Sequence, residues 1–410
     1  MDFRLIHHHV GARGNVPLPL DARSPIRGDF AVFYYDADED ALTDALRERI
    51  QVGKSSLLPY CLGARSEKRA FHIANDSYSS SLYPFNTKYQ NFTKATYLGQ
   101  SRMGDSHATA RQIDVDVVTL DEICAPNGDI PAPDFLSIDV EGAELDIIRG
   151  GAGCLRDSVV WLRSEMWIHP VYDGAATMEA SMAYLRDAGF DLFHMAPYGE
   201  YEADKLTFGM HGLGQTLGAE VDFHCQVDAI VNNAENGRDT AILKLYKLAL
   251  LAFMQGGNGL GYQALKQADA LGGTFFTKDN ATKPANYLAF LEEAWIALQN
   301  MTKHLPVFPD LGQAMHRKRE RFFHYNNADN QETRDRLVSE DREERKEIEN
   351  NYKKMVARVH KLAWMPATPL ETTFKKYGLV DQANEMSAKR KQHCENFISL
   401  FYSLGEGPLR

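Results

Sequence analysis

Short apolar segments alternate with helix-like stretches through the first half of the chain, and near residue 232 the alternation stops. Segments 5–10, 30–35, 57–62, 135–138, 159–163, 191–194 and 221–231 are rich in Val, Ile, Leu, Phe and Tyr, as buried strands are. Between them, 38–50 and 178–188 carry helical patterns, the second stopping at Gly189 as a helix with a C′ glycine does. This alternation predicts an α/β domain with a mostly parallel sheet and helices on both faces. Segment 75–107, rich in Ser, Asn, Tyr and Thr, breaks the rhythm and reads as a long surface loop or lid. Beyond the linker-like Asn232-Asn233-Ala234-Glu235-Asn236-Gly237, helices are expected at 240–254, 262–271, 286–298, 334–362 and 382–404. A chain of 410 residues can bury two cores, so the expected division is 1–232 and an all-α region 233–410.

Charge and composition narrow the function classes. With 45 basic and 56 acidic residues, net charge −11, the chain is unsuited to broad phosphate neutralisation, and no nucleic-acid partner is expected. No apolar run reaches membrane-spanning length. Met1-Asp2-Phe3-Arg4 leads into His7-His8-His9 without the apolar core of a secretory leader. Cys61, Cys124, Cys154, Cys225 and Cys394 are scattered, with no CxxC pair, which fits reduced thiols and a cytoplasmic location. The three histidines alternate across a strand and cannot all meet one ion, so no metal is expected there. His316-Arg317-Lys318-Arg319 with Arg321 is either a solvated helix face or a contact for a phosphate or acidic partner. The apolar segment 240–254 is a core helix or a surface for homo-oligomerisation.

Three places carry chemistry. Gly11-Ala12-Arg13-Gly14 follows the first strand, where glycine lets the backbone approach a ligand and a following helix N-terminus suits negative charge. The second strand ends in Asp36-Ala37-Asp38, the position at which a nucleotide-binding sheet holds ribose hydroxyls; helix capping is the plainer use. In Phe135-Leu136-Ser137-Ile138-Asp139-Val140-Glu141-Gly142-Ala143-Glu144 a buried strand runs into three carboxylates. Their mutual repulsion calls for a cation: a sulfonium, an ammonium, a metal ion, or an arginine such as Arg149 or Arg163. Glu141 and Glu144 also suit the first turn of a helix.

That run resembles the signature of the FkbM-type S-adenosylmethionine-dependent methyltransferases, as does Val118-Thr119-Leu120-Asp121-Glu122-Ile123 before it. The likeness reaches back through Ser79-Ser80-Ser81-Leu82, Asn75 and Leu62-Gly63 to Gly11, and covers roughly the first 230 residues. The resemblance implies a seven-stranded class I methyltransferase sheet, S-adenosylmethionine as cofactor, and O-methylation of a glycan or small-metabolite hydroxyl. It implies that Gly11, Ala12, Arg13 and Gly14 line the methionine part of the cofactor, and that Asp36, with Ala37 beside it, meets the ribose. Leu62 and Gly63 would lie near the adenine, and Asp139 near the methionine amino group. Two departures stand out. His9 replaces a frequent acidic residue, and the helix that usually precedes the first strand is missing, so a C-terminal helix is expected to cover that sheet face.

Methyl transfer is an in-line displacement, so alignment dominates, and a hydroxyl acceptor gains from a base within hydrogen-bond reach. The candidates are Glu141, Glu165 and His169, the latter two in Ser164-Glu165-Met166-Trp167-Ile168-His169-Pro170. Trp167 could stack on a sugar ring, and Ser80 and Ser81 could offer polar contacts; core packing and turn formation are their plainer roles. A nicotinamide oxidoreductase fits less well, because Gly11 to Gly14 lacks the GxGxxG spacing. A scaffold that binds the cofactor without catalysis, and recruits a partner through its helical region, is the alternative of a different class.

Overall fold

Leu5–Val10 (β1) has all six of its residues buried, three of them histidines. Burying an imidazole strands its ring nitrogens unless they find partners, and the strand's alternation supplies one partner to each ring, the second nitrogen of each being left without a hydrogen bond. His7 Nε2 and His9 Nδ1 both meet the Ser137 hydroxyl at 2.8 Å, and on the opposite face His8 Nδ1 meets the Tyr35 hydroxyl at 3.0 Å. Loss of hydration lowers all three, His8 to about 3 and His9 to about 4, so they stay neutral core residues. These contacts come from a computed structural model, which describes residues 3–12, 20–37, 54–96, 99–125, 128–204, 214–273, 285–305 and 312–405. Arg13, Gly14, Asp38 and the helix expected at 38–50 lie outside the described residues.

β1 pairs in parallel with Phe30–Tyr35 (β2) on one side and Phe135–Ile138 (β9) on the other. Outward from these run Lys54–Leu58 (β3), parallel to β2, and Trp161–Trp167 (β10), parallel to β9. Gln215–Cys225 (β12) then joins β10 antiparallel, followed by Phe190–Glu202 (β11) and the hairpin Thr93–Thr96 (β6) and Gly99–Arg102 (β7). The result is a nine-stranded sheet of order β3-β2-β1-β9-β10-β12-β11-β6-β7, beside a three-stranded sheet of Cys61–Leu62 (β4), Thr109–Val118 (β8) and Glu67–Ala74 (β5). The expected seven-stranded, mostly parallel sheet is therefore corrected to a mixed one. It is enlarged because part of segment 75–107 forms the β6–β7 hairpin rather than a structureless loop.

Other boundaries also move. The strand expected at 57–62 divides between the two sheets, with Pro59, which lacks a backbone donor, at the break. The apolar end of 221–231 turns into the helix Val227–Asn232, since a short apolar run fits either state. The helix expected at 178–188 is Met178–Asp187, and Gly189 ends it with φ +85°. The later helices appear where expected, as Arg238–Met254, Asn258–Ala270, Asn286–His304, Gln331–Ala363 and Val380–Gly405.

The chain forms two compact units, Met1–Leu291 and Glu292–Arg410, so the first extends well past 232. Buried polar links explain why. Asp134, at the foot of β9, accepts the backbone N–H of Ile6 at 2.8 Å and the Lys247 ammonium at 2.7 Å. Arg163 on β10 donates to Asp222 and to Gln255, each at 2.9 Å. Asp29 accepts the N–H of Tyr287 at 2.8 Å. Thirteen of the seventeen residues of Arg238–Met254 are buried, which makes this helix a core element of the sheet unit. In the second unit Val356, Val359, Ala363, Cys394 and Phe397 form a small core, and Arg390 ties Glu371 at 2.8 Å to the end of the long helix. Arg317 and Arg321 of the basic cluster both pair with Glu344.

Candidate functional site

Parallel strands with right-handed crossovers open a crevice at their carboxyl ends, where loops on adjacent strands diverge. Here β1, β2, β9 and β10 end around a cavity of about 180 Å³. Gly11, Asp36, Ala37, Leu62, Ser80, Asp139, Glu141 and Glu165 all line it, so most of the residues singled out in the sequence meet at one place. The three-stranded sheet supplies an apolar wall of Cys61, Leu62 and Phe71, and Tyr60 and Tyr78 stand at its edge, 39% and 57% exposed.

Gly11 is required by closeness as well as by conformation. Its φ is +93°, and a Cβ there would lie 1.7 Å from the Asp139 carbonyl oxygen. The Asp139 N–H in turn donates to the Val10 carbonyl at 2.9 Å, so the ends of β1 and β9 are drawn together under the cavity. The N–H groups of Gly11 and Ala12 both donate to the Tyr35 carbonyl at 3.0 Å. That use makes Ala12, which is buried, part of the turn.

Asp139, Glu141 and Glu165 offer carboxylate oxygens within 4.8 Å of one another, close enough to share one cation. Neither candidate arginine serves them: Arg163 is taken by Asp222 and Gln255, and Arg149 lies over the Tyr184 ring at 5.9 Å. Burial instead pushes these carboxyls toward their protonated forms. Asp139 is raised by loss of hydration and by Glu220, against a hydrogen bond with Glu165. Glu141 is raised well above the usual range by burial and then by Asp139. Glu144, raised to about 7 by burial, accepts the N–H groups of Gly142 at 2.9 Å and Val140 at 3.3 Å. It thereby staples the loop that carries the other two acids.

The remaining candidates fall around the cavity. The Ser81 hydroxyl donates to the Glu141 carbonyl at 2.6 Å, and Ser80 closes the turn above it by donating to Ser77 at 2.8 Å. Gly63 lies behind the wall, where a Cβ on Gly150 would stand 2.0 Å from its carbonyl oxygen. Trp167 is buried with Phe85, Tyr89, Met103, Val171, Tyr172 and Leu217. The His169 ring sits 6.4 Å from that of Tyr89, and the residue is not among those lining the cavity. In the segment 118–123, Thr119 and Glu122 form a capping box, and Asp121 accepts the N–H groups of Gly153 at 2.8 Å and Cys154 at 2.9 Å. These residues fix helices behind the cavity.

Sequence reasoning missed Tyr172, whose hydroxyl donates to Glu141 Oε2 at 2.8 Å. It also missed His107, half-buried against Phe85, Trp167 and Tyr172 and lowered by loss of hydration. Neither stands in a strand-end motif, and only the tertiary fold brings Tyr172 to Glu141. No curated protein and no solved structure matches the chain. Residues 33–192 match the family model described as the methyltransferase FkbM domain, a span holding Asp36, Leu62, Asp139, Glu141 and Glu165.

Proposed function

We propose that the protein is an S-adenosylmethionine-dependent methyltransferase that methylates a hydroxyl of a glycan or small metabolite. The observation that carries this reading is the buried-edge cluster of Asp139, Glu141 and Glu165, while the two arginines the sequence offered, Arg149 and Arg163, are engaged elsewhere. Such a cluster suits a ligand bearing its own positive charge. The donor set around it fits S-adenosylmethionine. Asp36 would accept from the ribose hydroxyls, Leu62 and Phe71 would border the adenine, and Asp139 would face the methionine amino group. Gly11, where a side chain has no room, would leave the backbone open to the methionine portion.

The cofactor, when bound, supplies an electrophilic methyl group on a sulfonium. The chain's own part is to align the acceptor and to take up its proton. Glu141 and Glu165 line the cavity and can serve as base in their ionised forms. A cationic ligand beside them favours that ionisation, so binding and activation of the base are coupled. The test is incubation with methyl-labelled S-adenosylmethionine and panels of glycans and hydroxylated metabolites. Release of S-adenosylhomocysteine with label in a methyl ether is the expected result. Binding without transfer to any acceptor would favour the scaffold reading, and transfer only to nitrogen would overturn the hydroxyl assignment.

A further inference from the structure

Glu141 is the one non-glycine residue among those described whose backbone is left-handed, with φ +60°. A glutamate gains nothing locally from that conformation. Its surroundings impose it. The Tyr172 hydroxyl donates to Oε2 at 2.8 Å, the Ser81 hydroxyl donates to the carbonyl at 2.6 Å, and Glu144 holds the next N–H, that of Gly142, at 2.9 Å. The carboxyl is thus fixed beside those of Asp139 and Glu165. Besides one another, the titratable groups that bear on these three carboxyls among the described residues are Glu144, Asp76, Glu220, Tyr172 and Tyr201, none of them a cation. The arginine of the adjoining wall, Arg69, is held by Asp146 at 3.1 Å.

We propose that Glu141, clamped by Tyr172 and Ser81, makes the cavity discriminate by charge, holding the sulfonium-bearing methyl donor in preference to the neutral thioether left after transfer. The inference rests on reading the cavity as an S-adenosylmethionine site. Donor and product share the adenosine, the carboxylate and the ammonium. They differ by one methyl group and one positive charge, and the charge interacts with a fixed carboxylate far more strongly than a methyl group packs. Product would then leave readily once the charge is gone.

The test is calorimetric titration of S-adenosylmethionine and S-adenosylhomocysteine at pH 8 into the wild type, Glu141→Gln and Tyr172→Phe. The wild type is expected to bind donor about tenfold more tightly than product. Glu141→Gln should bring the two affinities within about threefold while leaving that for product unchanged. Tyr172→Phe removes a donor to the ionised carboxylate, so its ratio should be intermediate at pH 8 and rise at pH 9. This variant keeps the ring, and carries the test should Glu141→Gln fail to fold by circular dichroism. Product binding as tight as donor in the wild type, or an undiminished ratio in Glu141→Gln, would overturn the inference. If neither ligand binds the wild type, the reading of the cavity falls and the inference falls with it; a flat ratio with both bound sinks the inference alone.

Discussion

Replacing Lys247 by methionine would leave Asp134 buried without its cation, and the structure allows the cost to be bounded. The ion pair is 2.7 Å long, with side chains only 7% and 10% exposed, and Asp134 is already raised by loss of hydration that Lys247 opposes. Breaking a buried pair from one side typically costs about 3–5 kcal/mol. The variant can escape by protonating Asp134. From an ordinary carboxyl value of about 3.9, that costs about 4 kcal/mol at pH 7 and about 2 kcal/mol at pH 5.5. The loss should therefore be about 4 kcal/mol at pH 7 and shrink as the solution is acidified. Urea unfolding of wild type and Lys247→Met at the two pH values measures this. Adding Asp134→Asn, whose amide oxygen can still accept the Ile6 N–H, should restore most of the stability. A loss below about 1 kcal/mol at pH 7, or a double variant no better than the single one, would refute the view that the helix Arg238–Met254 is built into the sheet unit.

Three further outcomes are expected. Gly11→Ala, forced against the Asp139 carbonyl at a positive φ, should lower stability by about 2–4 kcal/mol and abolish cofactor binding, read by thermal unfolding and calorimetry. Asp121→Ala should cost about 1–2 kcal/mol through loss of its two backbone acceptor bonds, yet leave cofactor affinity unchanged, since it lies behind the cavity. His8 and His9, lowered to about 3 and 4, bind protons only on unfolding, so they reduce stability progressively as pH falls below about 6.5. Glu144, raised to about 7, acts in the opposite sense over the same range. Thermal unfolding from pH 7 to 5 should therefore fall less steeply in His9→Gln than in the wild type.

The strands buried on both faces were legible because their apolar and aromatic residues, with three histidines in the first, leave a strong local signal. Leu5–Val10, Phe30–Tyr35 and Phe135–Ile138 have the expected limits. Glu67–Ala74 and Thr109–Val118 escaped notice because they pair mainly with each other and expose many of their residues, mixing charged and apolar side chains. The Asp139–Glu144 motif pointed to the cavity because three acids at a strand end need an external reason. Glu165 could be singled out because it follows the expected strand 159–163, although β10 runs on through it to Trp167, whereas Tyr172 reaches Glu141 only through the return of the chain after Pro170. The extent of the first unit was hidden for a similar reason. Lys247 and Asp134 are 113 residues apart, and no local pattern announces their pairing.

The claim that this sheet edge holds S-adenosylmethionine is tested most directly by titrating S-adenosylhomocysteine into the wild type and into Asp36→Ala. The account predicts micromolar binding by the wild type and a loss of about tenfold or more in the variant, the scale of a charge-assisted hydrogen-bond pair to the ribose. Wild-type binding that the Asp36 substitution leaves untouched would contradict the orientation proposed for the cofactor, and no binding at all would contradict the account of the cavity.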